Sequence, residues 1–141
     1  MDTEAAINKL TEKFSGDTVK VVLRKGRRAI VTVRPTAISA ISEYLYKTEG
    51  YRFIIASALH TRRGFEIYYH FSFDADGSIL SLHVILDGEK PHIESLSNMF
   101  GASNWIEREM HELFGIDFLN HPNQENLLSE GNWADDLYPY R

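Results

Sequence analysis

Six histidines and one cluster of carboxylates are the residues best able to do chemistry in this sequence. The histidines are His60, His70, His83, His92, His111 and His121. His111-Glu112 supplies half of a His-Glu-x-x-His metal helix, but position 115 is Gly, so the second histidine is missing. Glu107 and His111 are spaced i, i+4 and could share a metal on a helix face. The same spacing suits a simple side-chain hydrogen bond, the commoner outcome. Glu107, Glu109 and Glu112 sit with Arg108 on one short helix, and two carboxylates could in principle act as acid and base. Arg108 can pair with Glu112, however, and His111 with Glu107. Self-satisfied pairs make this helix an interaction surface rather than an active site. No Gly-x-Ser-x-Gly, P-loop or Gly-x-Gly-x-x-Gly occurs. The chain has no cysteine, which excludes a Cys–His pair, a thiolate zinc site and an iron–sulfur cluster held by its own thiolates. The expectation is no catalytic residue, no cofactor and no metal.

The elements that must position these residues can be read from pattern. At 141 residues the chain suits one domain with a core that needs no staples. The longest apolar run, Phe53 to Leu59, is far short of the ~20 residues of a membrane span, and the N-terminus does not read as a signal peptide. A soluble cytoplasmic domain is expected. Residues 1–104 carry a net +1, while residues 105–141 carry two basic against eight acidic side chains. An acidic C-terminal third argues against nucleic acid as a partner.

Thr3 can cap a helix whose stripe is Ile7, Leu10 and Phe14, ended by Gly16-Asp17. Thr18–Leu23 and Ala29–Val33 form a hairpin whose tip, Arg24 to Arg28, is basic. Pro35 opens a helix with Ile38, Ile41 and Leu45, and Gly50 follows it. Tyr51–Leu59 reads as a buried strand. Thr61–Gly64 is a turn, and the strict alternation from Phe65 to Phe73 is a half-buried antiparallel strand. A turn at Asp74–Gly77 leads to a strand Ser78–Leu86, which would bring His70 and His83 across from each other as satisfied sheet histidines. After Pro91 the stripe Ile93, Leu96, Met99 and Phe100 predicts a helix ended by Gly101. Asn104 then caps a second helix, Trp105–Phe114, stopped by Gly115. From Asp117 the pattern dissolves. The order α-β-β-α-β-β-β-α-α-arm predicts an α+β fold. Its sheet is largely antiparallel, with a mixed sheet as the alternative, and has about four to five strands packed by helices. The domain spans 1–116 and an extended acidic arm spans 117–141.

One stretch is far more specific than any single motif above. It runs Asn104-Trp105-Ile106-Glu107-Arg108-Glu109-Met110-His111-Glu112-Leu113-Phe114-Gly115-Ile116-Asp117-Phe118, then His121-Pro122. Pro91-His92-Ile93-Glu94-Ser95-Leu96 precedes it, Leu127-Leu128 follows, and Tyr138-Pro139-Tyr140-Arg141 ends the chain. The combined Glu-Arg-Glu, Phe-Gly-Ile and His-Pro spacing resembles the 30 kDa subunit family of respiratory-chain NADH dehydrogenase. That family includes the homologous subunit of energy-converting membrane-bound [NiFe] hydrogenases. Glu125 departs from the pattern, which usually has Lys or Arg there. The short acidic tail looks more like the hydrogenase branch.

The resemblance implies a non-catalytic scaffold subunit in the peripheral arm of an electron-transport oxidoreductase. It would have no redox centre of its own and would pack on the large hydrogenase-like subunit and the small iron–sulfur subunit. It would lie in the cytoplasm at the inner face of the membrane. Contacts with partners would fall on Glu107, Arg108, Glu109, Glu112, Phe114, His121, Pro122, Leu127, Leu128, Trp133 and Tyr140. Two rival readings carry different chemistry. One is a small metal-dependent enzyme built on Glu107, His111 or Glu112. The other is a free-standing module that grips an anion with the Arg24–Arg28 tip.

Overall fold

A computed structural model describes residues 3–24, 27–87 and 90–122. The arm positions Leu127, Leu128, Trp133 and Tyr140 lie outside the described residues, as do Lys25 and Gly26 of the hairpin tip and the side chain of Thr3. The elements run α1 (Thr3–Lys13), β1 (Thr18–Arg24), β2 (Arg28–Val33), α2 (Ile38–Glu43), β3 (Arg52–Thr61), β4 (Gly64–Phe73), β5 (Ser78–Leu86), β6 (His92–Glu94), α3 (Gly101–Phe114) and β7 (Asp117–Leu119). A 3-10 turn at Pro35–Ala37 leads into α2, and a π-helical turn at Tyr44–Thr48 follows it.

Five strands form one mixed sheet in the order β1-β2-β5-β4-β3. Only β2 and β5 pair in parallel; the other neighbours are antiparallel. A separate parallel pair joins β6 to β7. The alternation of β4 has the expected effect on one face, where Phe65, Ile67, Tyr69 and Phe71 are buried. They meet Leu80, Leu82 and Val84 of β5, Val31 of β2, and the apolar stripes of all three helices. The helices thus gather on one face of the sheet.

Four local expectations are corrected. Residues 91–100 are not a helix: the chain forms β6 and then turns. Ile93, Leu96 and Phe100 are buried, so the apolar stripe is real. The backbone donors there are spent elsewhere, however. Ser95 N–H donates to the Leu119 carbonyl, and Leu96 N–H to the Glu107 carboxylate. Second, α3 begins at Gly101, so Asn104 lies inside the helix and does not cap it. Third, β3 is an edge strand, with Ile54, Ile55 and Leu59 exposed, because among the described residues no strand pairs with its outer side and no helix packs on its outer face. Fourth, residues after Gly115 keep regular structure for a few positions: Asp117–Leu119 pairs with β6, and Ile116 and Phe118 are fully buried.

Two glycines answer a steric demand. Gly115 takes φ 76° at the end of α3 and donates to the His111 carbonyl, the left-handed cap that the sequence signalled. Gly64, at φ 128°, lies so close to the Leu86 carbonyl that a Cβ would collide with it.

Candidate functional site

Helix α3 presents residues 103, 107, 110 and 114 as its inner stripe, and Ser103, Glu107, Met110 and Phe114 are all buried. Glu107 is therefore a carboxylate at a core position. Its Oε1 accepts from the Ser95 hydroxyl at 2.5 Å, and its Oε2 accepts from Leu96 N–H and from the Ser103 hydroxyl, both at 2.8 Å. His121 Nε2 lies 3.8 Å from Oε1, with both side chains fully enclosed, and also 3.2 Å from the Asn104 carbonyl. Burial pushes the Glu107 pKa up, and the three hydrogen bonds and His121 pull against that without reversing it. One carboxylate thus ties together three segments: the turn after β6, the helix, and the chain after β7.

The other charges of the stretch go elsewhere. The Arg108 guanidinium sits 5.3 Å from the Trp105 ring centroid. Trp105 is 61% exposed and takes no part in the core. Glu109 and Pro122 are exposed, whereas Glu112 and Phe114 are buried. The anticipated His111–Glu107 pair does not form. His111 Nδ1 instead bonds the Ile116 carbonyl at 2.9 Å and helps fix the exit from the helix. The structure thus brings Glu107 and His121 together, leaves Glu109 and Pro122 at the surface, and buries Glu112 and Phe114.

Among the described residues no three His, Asp or Glu side chains converge as a metal-ligand set. Of the α3 carboxylates, Glu107 is spent on Ser95, Leu96 and Ser103 inside the core, whereas Glu109 stands exposed.

Sequence reasoning missed a second polar cluster, on the opposite face of the sheet. His83 Nε2 lies 2.7 Å from Glu66 Oε1, and its Nδ1 lies 2.8 Å from the Thr32 hydroxyl. Arg63 donates to the same Glu66 oxygen at 2.8 Å, and the Thr61 hydroxyl donates to the other oxygen at 2.5 Å. Tyr68 stacks on the His83 ring at 4.4 Å. Burial would raise the Glu66 pKa, but the bonds from Thr61 and His83 and the charge of Arg63 outweigh it and hold it below the ordinary range. His83 is thus a satisfied sheet histidine, and so is His70, whose Nδ1 meets the Ser81 hydroxyl at 2.6 Å. The two imidazoles lie diagonally rather than opposite, since Tyr68 pairs with His83 and His70 with Ser81.

A carboxylate–imidazole–hydroxyl order has the form of a nucleophilic triad. Here Thr32 lies mid-strand between β1 and β5, so its backbone serves sheet ladders rather than a site for a developing oxyanion. A legible signal for this cluster was the lone Glu66 on a strand rich in aromatic residues.

Comparison with known proteins fits this geometry. The family model described as "Respiratory-chain NADH dehydrogenase, 30 Kd subunit" matches residues 31–141. The chain is 28% identical to a subunit of NADH-quinone oxidoreductase from Proteus mirabilis, over 92% of its own length but only 24% of that protein. It therefore spans about a quarter of that longer relative. It is 26% identical to a shorter subunit of NADH-quinone oxidoreductase from Citrifermentans bemidjiense, covering 94% of this chain and 84% of that one. The fold is shared with a chain of the membrane-bound sulfane sulfur reductase, an archaeal respiratory membrane complex, with a TM-score of 0.77 and 21% identity over 98% of this chain and 82% of that one. With more than half of its length matched by the family model, the chain belongs to the respiratory-chain NADH dehydrogenase 30 Kd subunit family.

Proposed function

We propose that this chain is a non-catalytic scaffold subunit in the peripheral arm of a membrane-associated redox complex. The complex is of the NADH:quinone oxidoreductase or energy-converting hydrogenase type. The chain packs on the large hydrogenase-like subunit and on the small iron–sulfur subunit, and holds no redox centre. The observation that carries this reading is the Glu107 anchor. The Glu-Arg-Glu stretch spends its first carboxylate on Ser95, Leu96 and Ser103. That use stiffens a surface and performs no reaction.

The outward members of the same stretch, half-buried Arg108 with Trp105, Glu109 and Pro122, then form the contact surface. Glu107, Glu112, Phe114 and His121 act through the backbone they hold. Leu127, Leu128, Trp133 and Tyr140 extend that contact along the neighbouring subunits. The names of the relatives support membership of a multi-subunit complex. No helix among the described residues is long and apolar enough to cross a membrane. Attachment at the cytoplasmic face would then run through partner subunits.

Native co-purification from gently solubilised membranes of the host tests this reading. Recovery of a large hydrogenase-like subunit and an iron–sulfur subunit is the expected result, and nickel in the complex assigns the hydrogenase type. Recovery of the chain alone, under conditions that keep such complexes whole, overturns it.

A further inference from the structure

The face of the sheet turned away from the helices carries a groove of about 530 Å³. Arg24 and Arg28 stand at one end, Ile30 and Ile79 form the floor, and Ile55 forms the far wall. Arg24 and Arg28 are register partners across the β1–β2 hairpin and both line this groove, so two cationic side chains leave the same face of the sheet as cross-strand neighbours. Like charges in that arrangement are unfavourable. Among the described residues neither is in an ion pair, whereas nearby Arg27 is occupied by the Asp76 carbonyl at 2.7 Å. The polar groups in the floor need nothing further, because His70 and Ser81 satisfy each other. Ile55 is 51% exposed, although its strand reads from sequence as core.

We propose that this groove docks an acidic segment of a neighbouring subunit in the same complex, with a carboxylate on the Arg24–Arg28 pair and an aliphatic side chain among the isoleucines. The inference rests on the scaffold reading above and names a surface for it outside the α3 stretch. Charge complementarity decides the occupant. Nucleic acid presents phosphates at every step and calls for cations along the whole track, with aromatic platforms for bases. This groove has cations at one end only and an aliphatic floor. A protein segment can set one carboxylate and one apolar side chain that far apart. Burying a carboxylate against the two arginines also relieves their repulsion, so the free protein holds the site in readiness.

The test uses the full-length chain in its host complex, with a photoreactive benzoylphenylalanine in place of Ile55 and, separately, the double variant Arg24→Glu/Arg28→Glu. The expected result is a cross-link from position 55 to an acid-rich segment of another subunit. The charge-reversed chain should recover that subunit at least tenfold less well in low salt, with its thermal melt unchanged. A cross-link to residues 123–141 of the same chain, or to a second copy, overturns the proposal, as does unchanged recovery with no cross-link. Binding of the wild-type chain to phosphatidylglycerol vesicles that the double variant loses, without a protein cross-link, also overturns it in favour of a lipid surface. In each of these cases the wild-type chain still brings down its complex, so the scaffold reading survives. If the wild-type chain brings down no subunit at all, both fail.

Discussion

Replacing Glu107 separates the anchor's shape from its charge. In Glu107→Ala the Leu96 N–H and the Ser103 hydroxyl lose their acceptor inside the protein. Each buried group left unmet costs about 1–3 kcal/mol. Ser95 is less affected, because its hydroxyl also lies 2.8 Å from Ser97 Oγ. The expected loss is therefore about 2–6 kcal/mol, a large share of the ~5–15 kcal/mol that holds a domain of this size together. Glu107→Gln keeps the shape and one acceptor for Leu96 N–H, and the serine hydroxyls can turn to accept from the new amide. It also removes a charge whose burial is unfavourable, since the Glu107 pKa is raised. The loss for Gln should stay below about 1 kcal/mol. Urea melts followed by circular dichroism measure both, and amide exchange at Leu96 reports the local effect. Exchange should speed up strongly in the Ala variant and little in the Gln variant. If Ala costs under about 1 kcal/mol, or Gln costs as much as Ala, the carboxylate is not the anchor described.

Glu107 and Glu66 should respond to pH in opposite windows. The raised pKa of Glu107 gives a contribution present below the ordinary carboxylate value of about 4.5 and lost as pH rises through its folded value; the lowered pKa of Glu66 gives one present above about 4.5 and lost as pH falls through its folded value. Melts across pH should show the first dependence vanish in Glu107→Gln and the second in Glu66→Gln, each slope at most about 1.4 kcal/mol per pH unit. The fully buried Tyr69 hydroxyl has no hydrogen-bond partner among the described residues, so Tyr69→Phe should be neutral or stabilising by up to about 1 kcal/mol in a urea melt, and a destabilisation above that would reveal a bound water. Arg108→Glu should leave the isolated chain folded with a cooperative urea melt, because Arg108 lies half-buried on the outer side of α3 rather than on its buried stripe. The same change should lower recovery of partner subunits severalfold in the co-purification. Gly64→Ala should destabilise more than Gly115→Ala, which costs roughly 1–2 kcal/mol for its left-handed backbone, since only the former also strikes the Leu86 carbonyl.

Where local chemistry governs, the sequence was legible. The hairpin of β1 and β2 followed from two β-branched runs around a polar tip, and β4 and β5 from strict alternation. Gly115 marked the end of α3 because only a residue tolerant of positive φ closes a helix that way. Legibility ended where distant groups decide. The stripe Ile93, Leu96 and Phe100 fits a helix by spacing, yet the distant Glu107 carboxylate takes the Leu96 N–H and the Leu119 carbonyl takes the Ser95 N–H, donors a helix would have used. The apolar run of β3 reads as core, and only the strand order places it at an edge with one face uncovered by helix. Glu66 and His83 lie 17 positions apart and are joined only by the register of β4 with β5.

The Glu-Arg-Glu stretch shows why a specific motif can be recognised and still be misassigned residue by residue. Treating it as a charged surface assumes that its members share a face. Consecutive residues on a helix are rotated by about 100°, so 107, 108 and 109 must point in three directions. Position 107 continues the stripe of 103, 110 and 114 and turns inward; 108 turns onto Trp105; 109 stands exposed beside a groove of about 260 Å³ that Ile106, Met110 and Leu113 form with β3. A glutamate on the apolar stripe, with a serine four residues before it able to donate, is itself the signal of a buried anchor. The motif therefore combines two roles on one helix. Its first residue fixes the turn after β6 and the chain after β7, and its next two are left at the surface that this fixing holds rigid. Loss of assembly from Glu107→Ala should then accompany loss of order at Leu96, whereas loss from Arg108→Glu should occur with Leu96 still protected.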